Sequence, residues 1–224
     1  MTFCQFGSCI IECNPNAPNG VTMRGYFDIH DLAERLASSR LQRFGGAFPN
    51  AWSVAKHSVA VSKVMHVMLG SPQMALHGLL HDAPEAFLGD ICGPLKGMLG
   101  PSVVKLEQDL QDKVYAMLHM AHMGANTYHP STVKYYDKQC LIFEIRELQK
   151  STATEGDQGL APARTAWLAE QDIDEATQKC FAEVQALDRD KMRLATYRDD
   201  VVRAKFYQKE FVRQFHKLTT ELLK

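Results

Sequence analysis

The sequence predicts an all-α protein, and three observations carry that expectation. Apolar residues recur at spacings of three and four in segment after segment, no stretch of convincing length alternates apolar with polar residues, and the breaks fall at Gly and Pro. With 224 residues, 46% hydrophobic and 23% charged, the chain has the size and composition of one ordinary globular domain. We expect an irregular N-terminal arm over residues 1–27 and a single helical domain over residues 28–224.

The arm contains Pro15, Pro18, Gly20 and Gly25 with little periodicity. Its Cys4, Cys9 and Cys13 have no fourth ligand at a zinc-site spacing, so free thiols are the expectation. A first helix runs through Ile29, Leu32, Ala33, Leu36 and Ala37 to about Ser39, with Asp28 or Asp31 suited to its N-terminal dipole. Arg40 to Trp52 reads as a loop that mixes Arg40 and Arg43 with Phe44, Phe48 and Trp52, a combination suited to a phosphorylated, ring-bearing ligand. A second helix carries Val54, His57, Val61, Val64 and Met65 and stops at Gly70-Ser71-Pro72. A third starts near Gln73, passes Leu76, Leu79, Leu80 and His81-Asp82, and ends near Gly89. Leu95–Leu99, Val103–Met123 and Val133–Leu148 continue the helical pattern. Ser151–Arg164 reads as a loop within the same fold, because the chain beyond it is too short for a domain. The last helix spans about Ala186 to Leu223, unbroken or with one break, with a stripe of Phe206, Phe211, Phe215, Leu218 and Leu222 that serves the core or a subunit contact.

Lys plus Arg total 25 against 26 Asp plus Glu, a formal net charge of -1, and no basic run exists to hold a nucleic-acid backbone. Six scattered cysteines make no secreted disulfide framework, and the N-terminus lacks the basic segment of a signal peptide. The longest uncharged stretch, Val64–Leu80, is broken by Gly70-Ser71-Pro72-Gln73 and holds two histidines, which excludes it as a membrane span. The expectation is a cytoplasmic protein, of a bacterium or an infected host cell, that forms homo-oligomers and binds neither nucleic acid nor membrane.

The stretch that carries chemistry is LLHDAPEAFLGDICGPLK, Leu79 to Lys96. Alone, His81-Asp82 is weak evidence, since nine histidines in this composition give about 0.6 His-Asp pairs by chance. His57 and Asp137 lie on separate helices; if these pack beside His81-Asp82, two imidazoles and two carboxylates converge, a mixed set suited to a divalent transition metal. Read from the residues alone, a satisfied core histidine and a solvated Asp137 remain the alternatives. Glu85 and Asp90 crowd further acidity into the same segment, which a cation and a polar substrate would justify. Lys96, Arg43, Arg40 and Lys56 supply positive charge for a phosphate.

Three segments resemble the HD-domain phosphohydrolase superfamily, specifically the small single-metal branch of bacterial 5′-deoxynucleotidases and bacteriophage dATP triphosphohydrolases. They are RFGGAFPNAWSVAKHSVAVS (Arg43 to Ser62), LLHDAPEAFLGDICGPLK and VKYYDKQCLIFEIREL, with AKFYQKEFVRQFHKL similar to the usual closing helix. The likeness covers about residues 24–150 well and departs at Lys56, where relatives often have Gln or Glu, and at Gly93, where some have a small hydroxyl residue. It implies a compact helical bundle holding one divalent metal ion, with Zn, Co or Mn expected and Mg an option, on His57, His81, Asp82 and Asp137. It implies proton transfer and water positioning by Glu85 and Asp90, phosphate binding by Arg43, and base or sugar contacts by Trp52 and Phe44; Lys56 and Lys96 are added as substrate contacts by charge. The implied activity is cleavage of the 5′ phosphoester of deoxynucleotides, with dATP or dNTP triphosphohydrolysis preferred. The alternatives are a 5′-nucleotidase acting on monophosphates and a non-catalytic nucleotide-sensing module.

Overall fold

Asp28 starts the helical part of the chain. Its carboxylate accepts the backbone N–H groups of His30 at 2.8 Å and Asp31 at 3.0 Å, and the Asp31 side chain reaches back to the Asp28 N–H at 3.1 Å. This reciprocal cap satisfies donors that a helix start leaves unpaired, and it sets the first residue of α1, Ile29–Ala37. In the computed structural model the described residues are 2–6, 9–13, 21–46, 52–120, 130–152, 161–192 and 199–224. Beyond α1 the helices are α2 (Val54–Leu69), α3 (Pro72–Leu80), α4 (Glu85–Leu88), α5 (Gly93–Leu99), α6 (Pro101–Met117), α7 (Pro130–Thr152), α8 (Ala161–Ala169), α9 (Glu175–Met192) and α10 (Asp200–Leu222). The fold is all-α, as the periodicity predicts.

The arm differs from its expectation. Thr2–Phe6 (β1), Cys9–Cys13 (β2) and Val21–Arg24 (β3) form a small antiparallel sheet in the order β1-β2-β3, with Cys4 opposite Ile11 and Ile11 opposite Met23. Along β2, Cys9 and Ile11 are buried while Ile10 is 40% exposed, the two-residue alternation of a half-buried strand. Because Ile10 and Ile11 are both apolar, that alternation leaves no trace in the sequence. Ile11 packs on Leu110 of α6. Cys9 is a buried free thiol, and the side chains of Cys4 and Cys13 lie outside the described residues.

α2 is the central helix, buried almost all round from Val54 to Met65, which is why it reads as more than one apolar face. On one side Val59 joins Leu32 and Leu36 of α1, Leu76 and Leu79 of α3, and Tyr207, Phe211 and Leu218 of α10. On the other, Val61, Val64 and Met65 meet Val133, Cys140 and Phe143 of α7 and Phe181 of α9. The Phe211, Phe215 and Leu218 stripe therefore belongs to the core. The approach of α3 to α2 depends on Gly78: a Cβ there would lie 2.5 Å from Met65 Sδ and 3.4 Å from Val61 Cγ1.

Three boundaries shift. The helix expected to run to Gly89 ends at Leu80, and His81–Pro84 form a turn before α4, since a proline disfavours helix at the residue before it. The last expected helix takes its broken form, as α9 and α10, and α9 begins upstream of Ala186. Residues 47–51 of the Arg40–Trp52 loop, 121–123 of the Val103–Met123 helix and 153–160 of the Ser151–Arg164 loop lie outside the described residues, and α7 and α8 cover the ends of the last.

Candidate metal centre

α2, the turn after α3, and α7 bring His57, His81, Asp82 and Asp137 together. The Nε2 atoms of His57 and His81 are 3.3 Å apart. Asp137 Oδ1 lies 3.0 Å from His57 Nε2 and 3.7 Å from His81 Nε2. Asp82 Oδ2 lies 3.5 Å and 3.2 Å from the same two atoms. His57, His81 and Asp137 offer donor atoms all within 4.8 Å of one another.

The far side of each ring explains why the Nε2 atoms face inward. His81 Nδ1 donates to the Gly78 carbonyl at 2.8 Å, so its Nε2 carries the lone pair. His57 Nδ1 meets Glu144 Oε1 at 2.8 Å, and a carboxylate there holds the same tautomer. Two lone pairs and two carboxylates facing one another need positive charge between them. Burial resists protonation, yet Asp82 and Asp137 hold the His81 pKa well above its usual value, and Glu144 and Asp137 raise that of His57 against both burial and Arg43. The two imidazoles conversely hold Asp82, against its burial, at about 2 and Asp137 well below its usual range. This donor set of two imidazole nitrogens and two carboxylate oxygens fits a divalent transition metal.

A second group that could hold an ion, His57 with Cys140 and Glu144, lies fully buried behind the first. Arg43 Nε already donates to Glu144 Oε2 at 3.1 Å, and burial together with Glu144 raises the Cys140 pKa well above its usual value, keeping the thiol protonated. The inner group is better described as a clasp: Cys140 donates weakly to Glu144 at 3.6 Å, and Glu144, wholly buried, grips His57 with one oxygen and Arg43 with the other. Sequence reasoning left Glu144 without a role. The available signal was its position seven residues after Asp137, two helical turns along the same face.

Arg43 also points Nη1 at Asp82 Oδ2, 3.4 Å away, and its backbone N–H donates to the Trp52 carbonyl at 2.8 Å. Phe44, its ring centroid 5.7 Å from the Arg43 guanidinium carbon, has a φ of 60, left-handed for a residue with a side chain. Asp90 accepts the Phe44 backbone N–H and so holds this bend; burial raises its pKa, with Asp82 adding to the effect. Glu85 is buried beside Asp82 and Asp90, and burial followed by those two charges pushes its pKa up to about 9. Lys96 pairs with Glu107 at 2.7 Å and stands 3.8 Å from Glu85. His81, Asp82, Glu85 and Lys96 border a cavity of about 240 Å³ that α6 and Lys134 complete.

Lys56 is 2% exposed, with its ammonium 3.2 Å from the centroid of the buried Trp52 ring, so these two engage each other. Arg40 lines a cleft of about 660 Å³ between α1 and α4, beside Asp31, Glu34 and Glu85. Among the described residues no helix is long and apolar enough to cross a membrane.

No family model matches the chain. It is 33% identical over 120 residues to the uncharacterized protein YfdR of Escherichia coli (strain K12), covering 54% of this chain and 60% of that protein. It is 33% identical over 112 residues to the uncharacterized protein RCAP_rcc00048 of Rhodobacter capsulatus, covering 48% of this chain and 53% of that protein. The chain thus spans little more than half the length of these curated relatives, whose names state no activity.

Proposed function

We propose that the chain is an HD-type metal-dependent phosphohydrolase that cleaves the 5′ phosphoester of deoxynucleotides, with dATP or dNTP triphosphohydrolysis its leading form. The observation that carries this reading is the convergence of His57, His81, Asp82 and Asp137, of which His81 and Asp82 border a cavity together with Glu85 and the cation Lys96. A divalent ion held by those four residues supplies Lewis-acid polarisation of a phosphoryl oxygen and an acidified water.

The chain's own groups do the rest. Arg43, its Nε fixed by Glu144 and its Nη1 directed at Asp82, has further N–H groups to pair with phosphate oxygens. A new bond forms from water oxygen to the α-phosphorus, and the P–O5′ bond breaks with its electron pair on O5′. Glu85, protonated at neutral pH, delivers its proton to O5′, and the proton shed by the attacking water restores the carboxyl. Asp90 acts by holding the Arg43–Phe44 bend. A second reading, a 5′-nucleotidase on monophosphates, is favoured by Lys56 and Lys96 already being engaged by Trp52 and Glu107.

The test is chromatography of the products from Mn²⁺-, Co²⁺- or Zn²⁺-loaded protein with a panel of nucleoside mono- and triphosphates. Deoxyadenosine with tripolyphosphate from dATP supports the leading form, and nucleoside from monophosphates alone supports the second. No turnover with any metal sinks both and leaves a nucleotide-sensing module. Glu85→Gln lowers turnover roughly 10²- to 10⁴-fold while retaining metal, and wild-type kcat/KM falls as pH rises through the raised Glu85 pKa, where its proton is lost. A Glu85→Gln variant within a few-fold of wild type, beside an inactive Asp82→Ala, removes Glu85 from this role.

A further inference from the structure

The segment that carries Arg43 joins the start of α2 through a short bridge. The Arg43 backbone N–H donates to the Trp52 carbonyl at 2.8 Å, and Gln42 pairs with Ser53 in an isolated antiparallel bridge. Ser53 in turn caps α2, its hydroxyl accepting the Lys56 backbone N–H at 3.2 Å. So small a pairing is marginal in water by itself, so the place of the Arg43 backbone depends on what holds Trp52.

Lys56 holds it. The Lys56 ammonium lies 3.2 Å from the centroid of the Trp52 ring and 5.9 Å from that of Tyr207 on α10. All three side chains are buried, and a cation meets a ring face most strongly where water is excluded. Lys56 thus grips one turn twice, through its backbone at Ser53 and through its ammonium at Trp52. The guanidinium that this turn carries forward reaches Glu144, which also bonds His57, the residue after Lys56.

We infer that Lys56 is a positioning residue: by clasping the Trp52 ring it sets the Arg43 backbone and, through it, the guanidinium. That the guanidinium then serves a phosphate rests on the function proposed above; the clasp itself does not. The charge carries the role and not the bulk alone. Methionine has a stem of similar length without the ammonium, whereas arginine keeps a cation that suits a ring face.

The test has two readouts. The first needs no ligand: the Arg43 Nε–H, bonded to buried Glu144, gives a slowly exchanging signal in nuclear magnetic resonance, assigned by its loss in Arg43→Ala. Lys56→Met is expected to speed that exchange about tenfold, and Lys56→Arg to restore it. Trp52→Leu matches Lys56→Met, and the two substitutions together add nothing further. The second readout is calorimetric binding of sulfate, a tetrahedral dianion that is not hydrolysed, to Mn²⁺-loaded protein. Lys56→Met weakens it in the wild-type background and changes nothing in Arg43→Ala.

Unchanged Arg43 exchange in Lys56→Met overturns the inference. So does failure of Lys56→Arg to restore it, which would make the role one of packing, and so does an equal speeding of core amides in α7, which would mean general loosening. If Lys56→Met does not fold, Lys56→Gln and Trp52→Phe supply the same comparison. Exchange as expected, with sulfate binding indifferent to Arg43→Ala, upholds the clasp and removes Arg43 from phosphate binding.

Discussion

Glu144 shows how one side chain organises chemistry it does not perform. A wholly buried carboxylate is costly unless its charge is met; here Arg43 and then His57 meet it and hold its pKa below the usual range against burial. Its two oxygens set both the tautomer of a proposed metal ligand and the position of a proposed phosphate-binding guanidinium. Glu144→Gln presents an amide N–H₂ to either the Arg43 or the His57 donor, and metal affinity measured by chelator competition is expected to fall about 10- to 100-fold. Cys140→Ala, which removes only a weak donor to the same oxygen, is the control; a loss no greater than the control's would mean that Glu144 merely fills space. The sequence supplied the residue types of the site, since His57, His81, Asp82, Asp137, Glu85 and Arg43 were each legible from motif and charge. It could not separate Lys56 or Trp52 from them, because a cation beside an aromatic ring reads the same whether the two face a ligand or each other.

At the scale of elements, α2, α9 and α10 are tied by charge as well as by packing. Lys63 of α2 reaches Asp188 of α9 at 2.6 Å and Glu210 of α10 at 3.1 Å, and Glu210 also pairs with Arg213. Asp188 and Glu210 are nearly buried, so removing the cation strands Asp188 and leaves Glu210 with Arg213 alone. Lys63→Met is expected to lower unfolding free energy by about 3 kcal/mol in urea melts, and adding Asp188→Leu to recover part of it. A loss under about 1 kcal/mol would place the knot with weakly coupled surface pairs. Long, strongly periodic helices were legible. The three strands were not, since β2 hides its alternation in consecutive isoleucines, and the break at Leu80 was marked only by Pro84. That break matters: it takes His81-Asp82 off the helix and lets His81 Nδ1 bond back to Gly78 while Nε2 turns inward.

For the molecule as a whole, a metal ion and protons would compete for the same cluster. Both imidazoles hold protons more tightly than free histidine, so ion binding must expel protons, and apparent affinity is expected to rise as pH rises through and above the ordinary histidine range. An ion held by this cluster would bind the folded chain better than the unfolded one, so Mn²⁺ is expected to raise Tm and His81→Ala to abolish the rise. Titration calorimetry in buffers of different ionisation enthalpy checks the proton release; affinity flat across that range, with no protons released, would sink the competition. By itself the sequence determined the fold class and the chemical types at the site, because helical periodicity and side-chain chemistry are local properties of the chain. Only the tertiary structure decided which of those groups meet. His57 and Glu144 are 87 residues apart, and Arg43 and Glu144 are 101 apart, and such contacts arise from how α2, α3 and α7 pack, which no local pattern encodes.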